Sequence, residues 1–349
     1  MGDEHVMIYP SYRRAAPVDV PFIYENPFVP FTFQMEVHYK GPARESRILE
    51  KGTVLIEGGR PLPSDILWDK DVEVELRDGT KIYVDVFRPP GRSNLPAIVA
   101  WSPYGKIVPQ PPPTNVRTEW VSGLQKFEGP DPAYWCAHGY AVVNVDTRGA
   151  YGSEGNMHFW GSLDSQDGYD VVEWIASQDW SNGRVGMSGT SWLTMAQWFI
   201  AAENPPHLAA IAPWEGVTDL YRQDLVRGGI PDTGFNEKFV STLRGRNCVE
   251  DMPTMVRRYP LINAYWRDKA AKLEKIKVPA YVVASWTNPK HTLGTFEGFR
   301  RISSKEKWLR VHNTHEWHDY YTPSNVEDLR KFFDYYLMGV DNDWPMTPK

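Results

Sequence analysis

Cysteine is scarce in this chain, and long runs of like charge or of apolar residues are missing. The two cysteines, Cys136 and Cys248, are far apart among 349 residues, which excludes a paired-cysteine metal site and a disulfide framework. The net charge is −6 and is not gathered into blocks, so neither a nucleic-acid groove nor a polybasic membrane patch is indicated. We therefore expect no nucleic-acid partner and no membrane partner.

Apolar runs are too short for a membrane anchor. No stretch approaches the ~18 apolar residues of a spanning helix, and the N-terminus lacks the positive start and apolar core of a secretory signal. The expected location is the cytoplasm. No histidine, cysteine and carboxylate spacing typical of a metal site and no glycine-rich phosphate loop occurs, so the sequence predicts no metal and no cofactor.

Strand-like and helix-like segments alternate through most of the chain. Polar and apolar residues alternate on both sides of a turn over 72–87, which predicts a β-hairpin. Four later segments are continuous apolar runs, typical of strands buried on both faces of a parallel sheet. They are 97–101, 141–145, 208–212 and 280–284. With helical periodicity at 164–178 and 192–202, the pattern predicts an α/β fold with a mostly parallel sheet flanked by helices.

Composition divides the chain into regions. Residues 1–60 are rich in proline and aromatic residues with poor periodicity, and we predict an extended N-terminal arm on the surface. Residues 61–214 and 276–340 carry the α/β alternation and form the predicted core. The polar and aromatic segment 215–275 interrupts it, which predicts a helical cap near the carboxyl ends of the strands. Residues 341–349 are expected to form a C-terminal tail.

A serine stands where a strand passes into a helix, in Gly189-Thr190-Ser191-Trp192-Leu193. A nucleophile elbow needs this context, because a tight strand-to-helix turn lifts the serine Oγ above the sheet. The motif is incomplete, since Leu193 replaces the second glycine of G-x-S-x-G. Ser188 offers a competing register but falls within the strand. The alternative role of Ser191 is a helix N-cap, which serine also favours, and local sequence does not choose between them.

Five further segments carry motifs that accompany this elbow. They are 74–80, 102–106, 144–155, 167–170 and 180–186. With the elbow, they resemble the cocaine-esterase-like hydrolases, the CocE/NonD group of the X-Pro dipeptidyl-peptidase (S15) family, over roughly 65–340. The resemblance implies an α/β-hydrolase fold with a cap and a cofactor-independent hydrolase. Family members usually carry a C-terminal jelly-roll domain, and this sequence stops at Lys349, where that domain would begin. We expect either a naturally short relative or a piece of a longer protein, and an exposed edge there would favour a homo-oligomer.

The resemblance also implies roles for single residues. Ser191 matches the nucleophile, and Tyr104 matches the tyrosine whose hydroxyl helps to form the oxyanion hole. The backbone N–H of Trp192 matches the second donor to the tetrahedral oxygen. His315 matches the base that takes the serine proton.

The base cannot be chosen from sequence alone, because His315 has two close histidine neighbours. His312 and His318 are expected to face solvent or to stack on a ring in their loop. The resemblance alone favours His315.

The acid position departs from the family pattern. The family reads Gly-Trp-x-Asp where this chain reads Ser285-Trp286-Thr287-Asn288, so an amide replaces the carboxylate. Three interpretations stay open. Asn288 orients His315, as asparagine does beside cysteine and histidine in papain-like enzymes; a nearby carboxylate takes over; or hydrolysis is weak and the pocket does something else. The candidate carboxylates are Glu316, Asp319 and Glu297.

Four aromatic residues at the end of the core and in the predicted cap are candidates for an apolar substrate pocket. They are Trp214, Tyr221, Phe235 and Trp266. Ordinary packing explains them nearly as well.

The sequence therefore predicts a serine hydrolase that cleaves an ester or amide bond of a small organic molecule through an acyl-enzyme. Two alternatives remain. One is a repurposed hydrolase fold, acting as a lyase, isomerase or cyclase in natural-product metabolism through proton transfer by His315 and Tyr104. The other is a non-catalytic binding protein that keeps the pocket.

Overall fold

The computed structural model describes residues 24–25, 42–106, 112–232, 234–240, 242–243 and 247–349. The strands are β1 (Tyr24–Glu25), β2 (Glu45–Leu49), β3 (Ile66–Glu75), β4 (Lys81–Arg88), β5 (Leu95–Ser102), β6 (Ala141–Asp146), β7 (Ser181–Thr190), β8 (Leu208–Trp214), β9 (Val226–Arg227), β10 (Ile230–Pro231), β11 (Val249–Glu250), β12 (Ala280–Ser285) and β13 (Lys307–His312). The α-helices are α1 (Pro132–Ala137), α2 (Ser162–Ala176), α3 (Trp192–Ala202), α4 (Phe235–Val240), α5 (Met252–Arg258), α6 (Ala264–Asp268), α7 (Thr292–Arg301), α8 (Glu316–Tyr321) and α9 (Pro323–Phe333).

Nine strands of the described ranges form one sheet in the order β13-β12-β8-β7-β5-β6-β4-β3-β2. The strands from β13 to β6 are parallel, and β4, β3 and β2 continue the sheet in antiparallel pairing. The predicted hairpin is the β3–β4 pair, and the four apolar runs are β5, β6, β8 and β12. The predicted α/β fold with a mostly parallel central sheet is therefore confirmed.

Helices cover both faces of the sheet. Successive side chains of a strand point to opposite faces, so Val99 of β5 packs in the cluster that includes α2 and α3, whereas Ile98 packs in the cluster that includes α1 and α9. All eight residues of β5 are buried. A continuous apolar run is needed because neither face of this strand meets solvent.

The N-terminal region differs from the prediction where it is described. Residues 45–49 are not an arm on the surface but form β2, the edge strand of the main sheet, paired with β3. This strand is mostly exposed, which explains why it carries no apolar alternation. The short β1 pairs with β11, and the rest of 1–41 lies outside the described residues.

The segment predicted as a helical cap, 215–275, folds as the short helices α4 to α6, a π-helical turn at Tyr221–Leu225 and short strands. The predicted tail is anchored by Trp344, which is buried against Tyr281, Trp308 and Phe332. None of the helices in the described ranges combines the length and the apolarity that crossing a bilayer requires.

Candidate active site

Ser191 stands alone between the end of β7 and the start of α3, with φ 54° and ψ −117°. Such a backbone conformation is strained for a residue with a side chain and is typical of functional turns. Its side chain makes no capping hydrogen bond to the helix, which argues against the N-cap role. Its N–H donates to the carbonyl of Glu215 at 2.8 Å, and the N–H of Thr190 donates to the carbonyl of Glu128 at 3.1 Å.

Two glycines let the elbow pack tightly. A Cβ on Gly189, which has φ 140°, would lie 2.4 Å from Cδ2 of Leu193. A Cβ on Gly216, just after β8, would lie 2.5 Å from Cγ2 of Thr194 and 3.2 Å from the carbonyl of Ser191. Leu193 is tolerated in place of the second motif glycine because Gly189 has no side chain to meet it, whereas Gly216 leaves room for Thr194.

Tyr104 lies directly over the elbow. Its hydroxyl faces the Ser191 side chain, and burial followed by the charge of Glu128 raises the pKa of Tyr104 well above its ordinary value. The hydroxyl therefore keeps its proton at neutral pH and can donate it in a hydrogen bond. Its ring contacts Phe127 at 5.3 Å and Trp192 at 6.0 Å between centroids. The structure thus brings the predicted Ser191, Tyr104 and Trp192 together.

A buried carboxyl group that the sequence did not suggest completes this side of the site. Glu128 is 3% exposed and accepts a hydrogen bond on Oε1 from the indole N–H of Trp317 at 2.9 Å. The Ser191 side chain and the N–H of Trp192 face the same carboxyl group, yet its Oε2 is buried without a hydrogen bond of ordinary geometry. Burial, followed by the charge of Glu316, raises the pKa of Glu128 well above its usual range.

The acid position forms the hub of a second network. The amide nitrogen of Asn288 lies 2.9 Å from Glu215 Oε2, 3.0 Å from Glu316 Oε2 and 3.0 Å from His291 Nδ1. The amide oxygen of Asn288 accepts the N–H groups of residues 290 and 291. Asn288 therefore does not contact His315, and its predicted orienting role has no contact to support it.

Of the three carboxylates considered as substitutes, only Glu316 lies in this network. Asp319 pairs with Arg310, and Glu297 pairs with Arg300 within α7. Burial opposes ionisation of Glu316, but the charge and hydrogen bond of His291 outweigh it and hold the pKa of Glu316 below its usual range.

The histidines occupy different surroundings. His315 is exposed, its ring packs on Trp317 at 4.8 Å, and its Nδ1 accepts the backbone N–H of Trp317. Among the described residues no hydrogen bond joins His315 to Ser191. His318 stacks on Trp120, as expected. The prediction that His312 faces solvent or stacks on a ring is wrong, because its side chain is buried against a carboxylate.

His312 is instead held by a carboxylate that sequence reasoning missed. Its Nε2 lies 2.7 Å from Glu215 Oε1 in a site where both side chains are almost fully buried. His291, also missed, is 4% exposed and pairs with Glu316 at 2.9 Å. One signal for Glu215 was available, because it directly follows β8 at the edge where the parallel strands end.

Glu215, His291 and Glu316 are also the residues that could hold a metal ion, since their ligand atoms lie within 4.8 Å of one another. The amide nitrogen of Asn288 occupies the space between them, and two backbone N–H groups fix its orientation. A cation could enter only if Asn288 moved away.

The predicted substrate-contacting aromatics do not gather at Ser191. Trp214 is 1% exposed and packs against Tyr281 and Tyr320 in the core. Trp266 is fully buried and contacts Tyr221, whose hydroxyl bonds the carbonyl of residue 260. These three positions therefore have packing roles.

Phe235 is exposed and stacks on Phe239 at 5.7 Å. Phe239, which sequence reasoning missed, reaches the elbow: its ring lies 6.3 Å from Tyr104 and 6.0 Å from Trp192. Phe159 and Trp192 are buried beneath Phe239, which is the partly exposed ring of these three.

Known proteins are similar to this chain in sequence and in fold. The X-Pro dipeptidyl-peptidase (S15) family matches residues 78–247. The cocaine esterase of Rhodococcus sp. (strain MB1 Bresler) is 33% identical over 169 residues, which cover 48% of this chain and 26% of that protein. The crystal structure of a CocE/NonD family hydrolase from Staphylococcus aureus superposes with a TM-score of 0.81 at 36% identity, covering 93% of this chain and 58% of that one. This chain is therefore similar to the CocE/NonD group of the S15 family over most of its length.

The CocE/NonD relatives are longer than this chain, which spans less than two thirds of each of those two proteins. The S15 match at 78–247 includes Tyr104, Glu128 and Ser191 but ends before Asn288 and His315. The nucleophile side of the site is therefore the part that the family match covers. An α-amino acid ester hydrolase structure, 19% identical with a TM-score of 0.57, shares the fold.

Proposed function

We propose that this chain is a serine hydrolase that cleaves an ester or amide bond of a small organic substrate through an acyl-enzyme. The observation that carries the proposal is the strained Ser191 at the strand-to-helix junction, with the Tyr104 hydroxyl facing its side chain. A serine held in this way is positioned to attack a carbonyl carbon, since its side chain is not engaged in capping the helix.

The oxyanion would be stabilised by two donors. As Ser191 Oγ adds to the carbonyl, negative charge develops on the carbonyl oxygen. The hydroxyl of Tyr104 faces the Ser191 side chain, and the N–H of Trp192 directly follows Ser191 at the start of α3. Donors fixed before the reaction stabilise such charge strongly in a site that excludes water. The raised pKa of Tyr104 supports this role because a protonated phenol is required for it.

The apolar wall of the site supports a small, uncharged acyl group. Phe239 and Trp192 pack edge to face on Tyr104, the buried Phe159 packs on both of them, and the half-buried Phe239 presents aromatic surface near the nucleophile. Removing a CH₂ group from such surroundings costs about 0.8 kcal/mol in transfer free energy. We therefore expect selectivity between acyl chains to follow the side chain at position 239.

The acyl-enzyme is tested by a fluorophosphonate probe with mass spectrometry of the intact chain. We expect one adduct on Ser191, absent from Ser191→Ala and retained in the matched control Ser188→Ala, which removes a serine hydroxyl of β7, the strand that leads to the elbow. A chain that turns over esters without any adduct at position 191 would contradict the proposal.

A second candidate is a proton-transfer enzyme, such as a lyase or isomerase. One observation favours it. The exposed His315 makes no hydrogen bond to Ser191 among the described residues, whereas Tyr104 and Glu128 both face the Ser191 side chain. In such an enzyme Ser191→Ala would retain turnover of the true substrate.

A further inference from the structure

Helix α4 carries an aromatic ring that reaches the nucleophile elbow. Phe239 lies on this helix, half-buried, with its ring 6.3 Å from that of Tyr104 and 6.0 Å from that of Trp192. The helix has only six residues, and a helix of that length is marginal in water unless its surroundings hold it. The position of Phe239 beside the elbow therefore depends on the contacts that hold α4.

One of these contacts comes from the loop that follows β12. The ammonium nitrogen of Lys290 lies 3.5 Å from the centroid of the Phe235 ring, at the start of α4. A lysine ammonium within about 6 Å of a ring centroid is attracted to the face of that ring. The same nitrogen pairs with Oδ1 of the buried Asp224 at 3.0 Å. Lys290 thus joins the loop after β12 both to α4 and to the π-helical turn that carries Asp224.

The acid that pairs with Lys290 also reaches the buried side of α4. Oδ1 of Asp224 lies 3.5 Å from the amide nitrogen of Asn236, a buried residue of this helix. A second acid, Asp232, accepts the N–H groups of residues 234–236 and the side-chain amide of Asn236. Asp232 is therefore engaged by the start of the helix, and Asp224 is the acid that fixes the ammonium of Lys290.

The contact with Phe235 extends along α4 to the site. Residues four apart lie on the same face of a helix, and the rings of Phe235 and Phe239 are stacked, with centroids 5.7 Å apart and 9° between their planes. Phe235 is 55% exposed, so its ring is placed by Phe239 and Lys290 rather than by a surrounding core. Movement of the Phe235 ring would therefore change the position of the Phe239 ring.

The backbone of Lys290 is anchored at the ends of the sheet strands. Its N–H donates to Asn288 Oδ1 at 3.0 Å, and Asn288 is the hub of the hydrogen-bonded network described above. The carbonyl of the preceding Pro289 accepts a hydrogen bond from the Arg227 guanidinium at 2.8 Å. The loop is thus a fixed base from which the Lys290 side chain reaches α4.

We propose that Lys290 is a positioning residue for acyl-chain selectivity, because it holds α4 so that Phe239 packs against the acyl group of the substrate. This inference rests on the serine-hydrolase function proposed above and adds the residue that places the Phe239 ring. An acyl chain that contacts a fixed aromatic surface gains binding free energy from each CH₂ group that it buries. The same surface on an unanchored helix gains less, because ordering the helix offsets part of the gain on binding.

The measurement is kcat/KM for p-nitrophenyl acetate, butyrate and hexanoate. In the parent chain we expect kcat/KM to rise about fourfold for each CH₂ group that the acyl chain buries. Lys290→Met should reduce this chain-length factor to less than about twofold, and Lys290→Arg, which keeps a cation over the ring, should restore most of it. The matched control is Lys307→Met, which removes an ammonium 5.1 Å from the Phe299 ring and should leave the factor unchanged.

A double-mutant cycle with Phe239→Ala shows whether Lys290 acts through the Phe239 ring. If it does, Lys290→Met has no further effect on the chain-length factor once the ring is gone, because the two changes remove the same contact with the acyl chain. Residues that act independently give additive effects. Additive losses in the double variant would therefore contradict the proposal.

Phe235→Leu tests the same clamp without leaving the buried Asp224 unpaired. Phe235 is exposed, so the fold should be retained while the chain-length factor falls as in Lys290→Met. A parent-like factor in either variant overturns the role of Lys290 but leaves the serine hydrolase intact, and so does a parent chain whose kcat/KM does not depend on acyl length. A parent chain that forms no fluorophosphonate adduct on Ser191 overturns both proposals.

Discussion

Two groups of buried charged side chains differ in how their charge is balanced. The first, the Lys106 cluster, consists of Asp71, Asp85, Lys106, Lys126 and Asp146. The second, the Ser191 cluster, consists of Glu128, Glu215, His291, His312 and Glu316. In the first, each carboxylate has an ammonium within 4 Å. In the described ranges, no lysine or arginine lies that close to the three glutamates of the second.

The difference separates a structural role from a chemical one. In the Lys106 cluster burial is offset by opposite charge, so the ammonium of Lys106 keeps its proton and its pKa is raised despite desolvation. In the Ser191 cluster no fixed positive charge offsets the burial of Glu128, and its pKa rises. Carboxyl groups with such shifted pKa values in a cleft are typical of acid–base catalysts. The first cluster should matter for stability, and the second for turnover.

The sharpest test of the chemical role of the Ser191 cluster is the variant Ser191→Ala. If Ser191 is the nucleophile, removal of its oxygen abolishes the covalent route, and ester turnover should fall by roughly 10⁴-fold or more. Steady-state hydrolysis of p-nitrophenyl acetate measures this. Ser188→Ala, whose hydroxyl contacts Tyr320 at 2.8 Å, should stay within about threefold of the parent. Equal losses in both variants would point to a structural effect.

The structural role of the Lys106 cluster is tested by the variant Lys106→Met. This change leaves Asp71, Asp85 and Asp146 buried without their common cation, and breaking a buried pair in this way costs about 3–5 kcal/mol. Urea unfolding at neutral pH should report a loss of that size in the free energy of unfolding. The control Lys81→Met removes an exposed lysine paired with Glu73 and should change it by less than about 1 kcal/mol. Equal effects would show that the Lys106 cluster contributes no more than a surface pair.

A smaller effect on turnover is expected for Tyr104→Phe. Loss of one oxyanion donor costs about 10²–10³-fold in kcat, or roughly 2.7–4 kcal/mol, while the ring contacts with Phe127 and Trp192 remain. The measurement is kcat and KM for a p-nitrophenyl ester. Tyr134→Phe, which removes a hydroxyl bonded to Glu327, serves as control. A change in KM alone would place Tyr104 in ground-state binding.

The sequence could predict the sheet because its central strands are buried on both faces. Strands β5 and β6 consist of buried residues along their full length, and such runs are visible without a structure. Strand β2 was missed because its residues Glu45–Leu49 are mostly exposed, and an edge strand needs no apolar face towards a second layer. The pairing partner, not the local pattern, makes it a strand.

The candidate site was predictable only where the chemistry lies in a continuous motif. The elbow around Ser191 and the segment around Tyr104 carry such motifs, and the structure brings them together. Glu128 and His291 are single residues in loops, and no spacing along the chain links them to the serine. Their proximity depends on how β7, β12 and α8 meet in space, which is set by the packing of the whole sheet.

The smallest expected effect concerns Asn288→Asp, which places a third carboxylate between Glu215 and Glu316. The amide donates to both glutamates at 2.9–3.0 Å, so the change removes two hydrogen bonds and adds a like charge. We expect no gain in ester hydrolysis and a loss of about 1–3 kcal/mol in the free energy of unfolding. Like charges favour the protonated form and raise the pKa of the new group above its unfolded value. The loss is therefore greatest at high pH and relieved as the pH falls through that raised value.

Asn325→Asp is the matched control for this change, because Asn325 donates to Asp319 on α8 and makes no hydrogen bond to Glu215, His291 or Glu316 among the described residues. It should lower stability in the same direction without altering the pH–rate profile. A large rise in p-nitrophenyl acetate hydrolysis in Asn288→Asp alone would show that position 288 limits the chemistry. Such a rise would mean that the proton of Ser191 leaves through groups at the ends of β12 and β13, because a carboxylate at position 288 can assist only a base that it contacts.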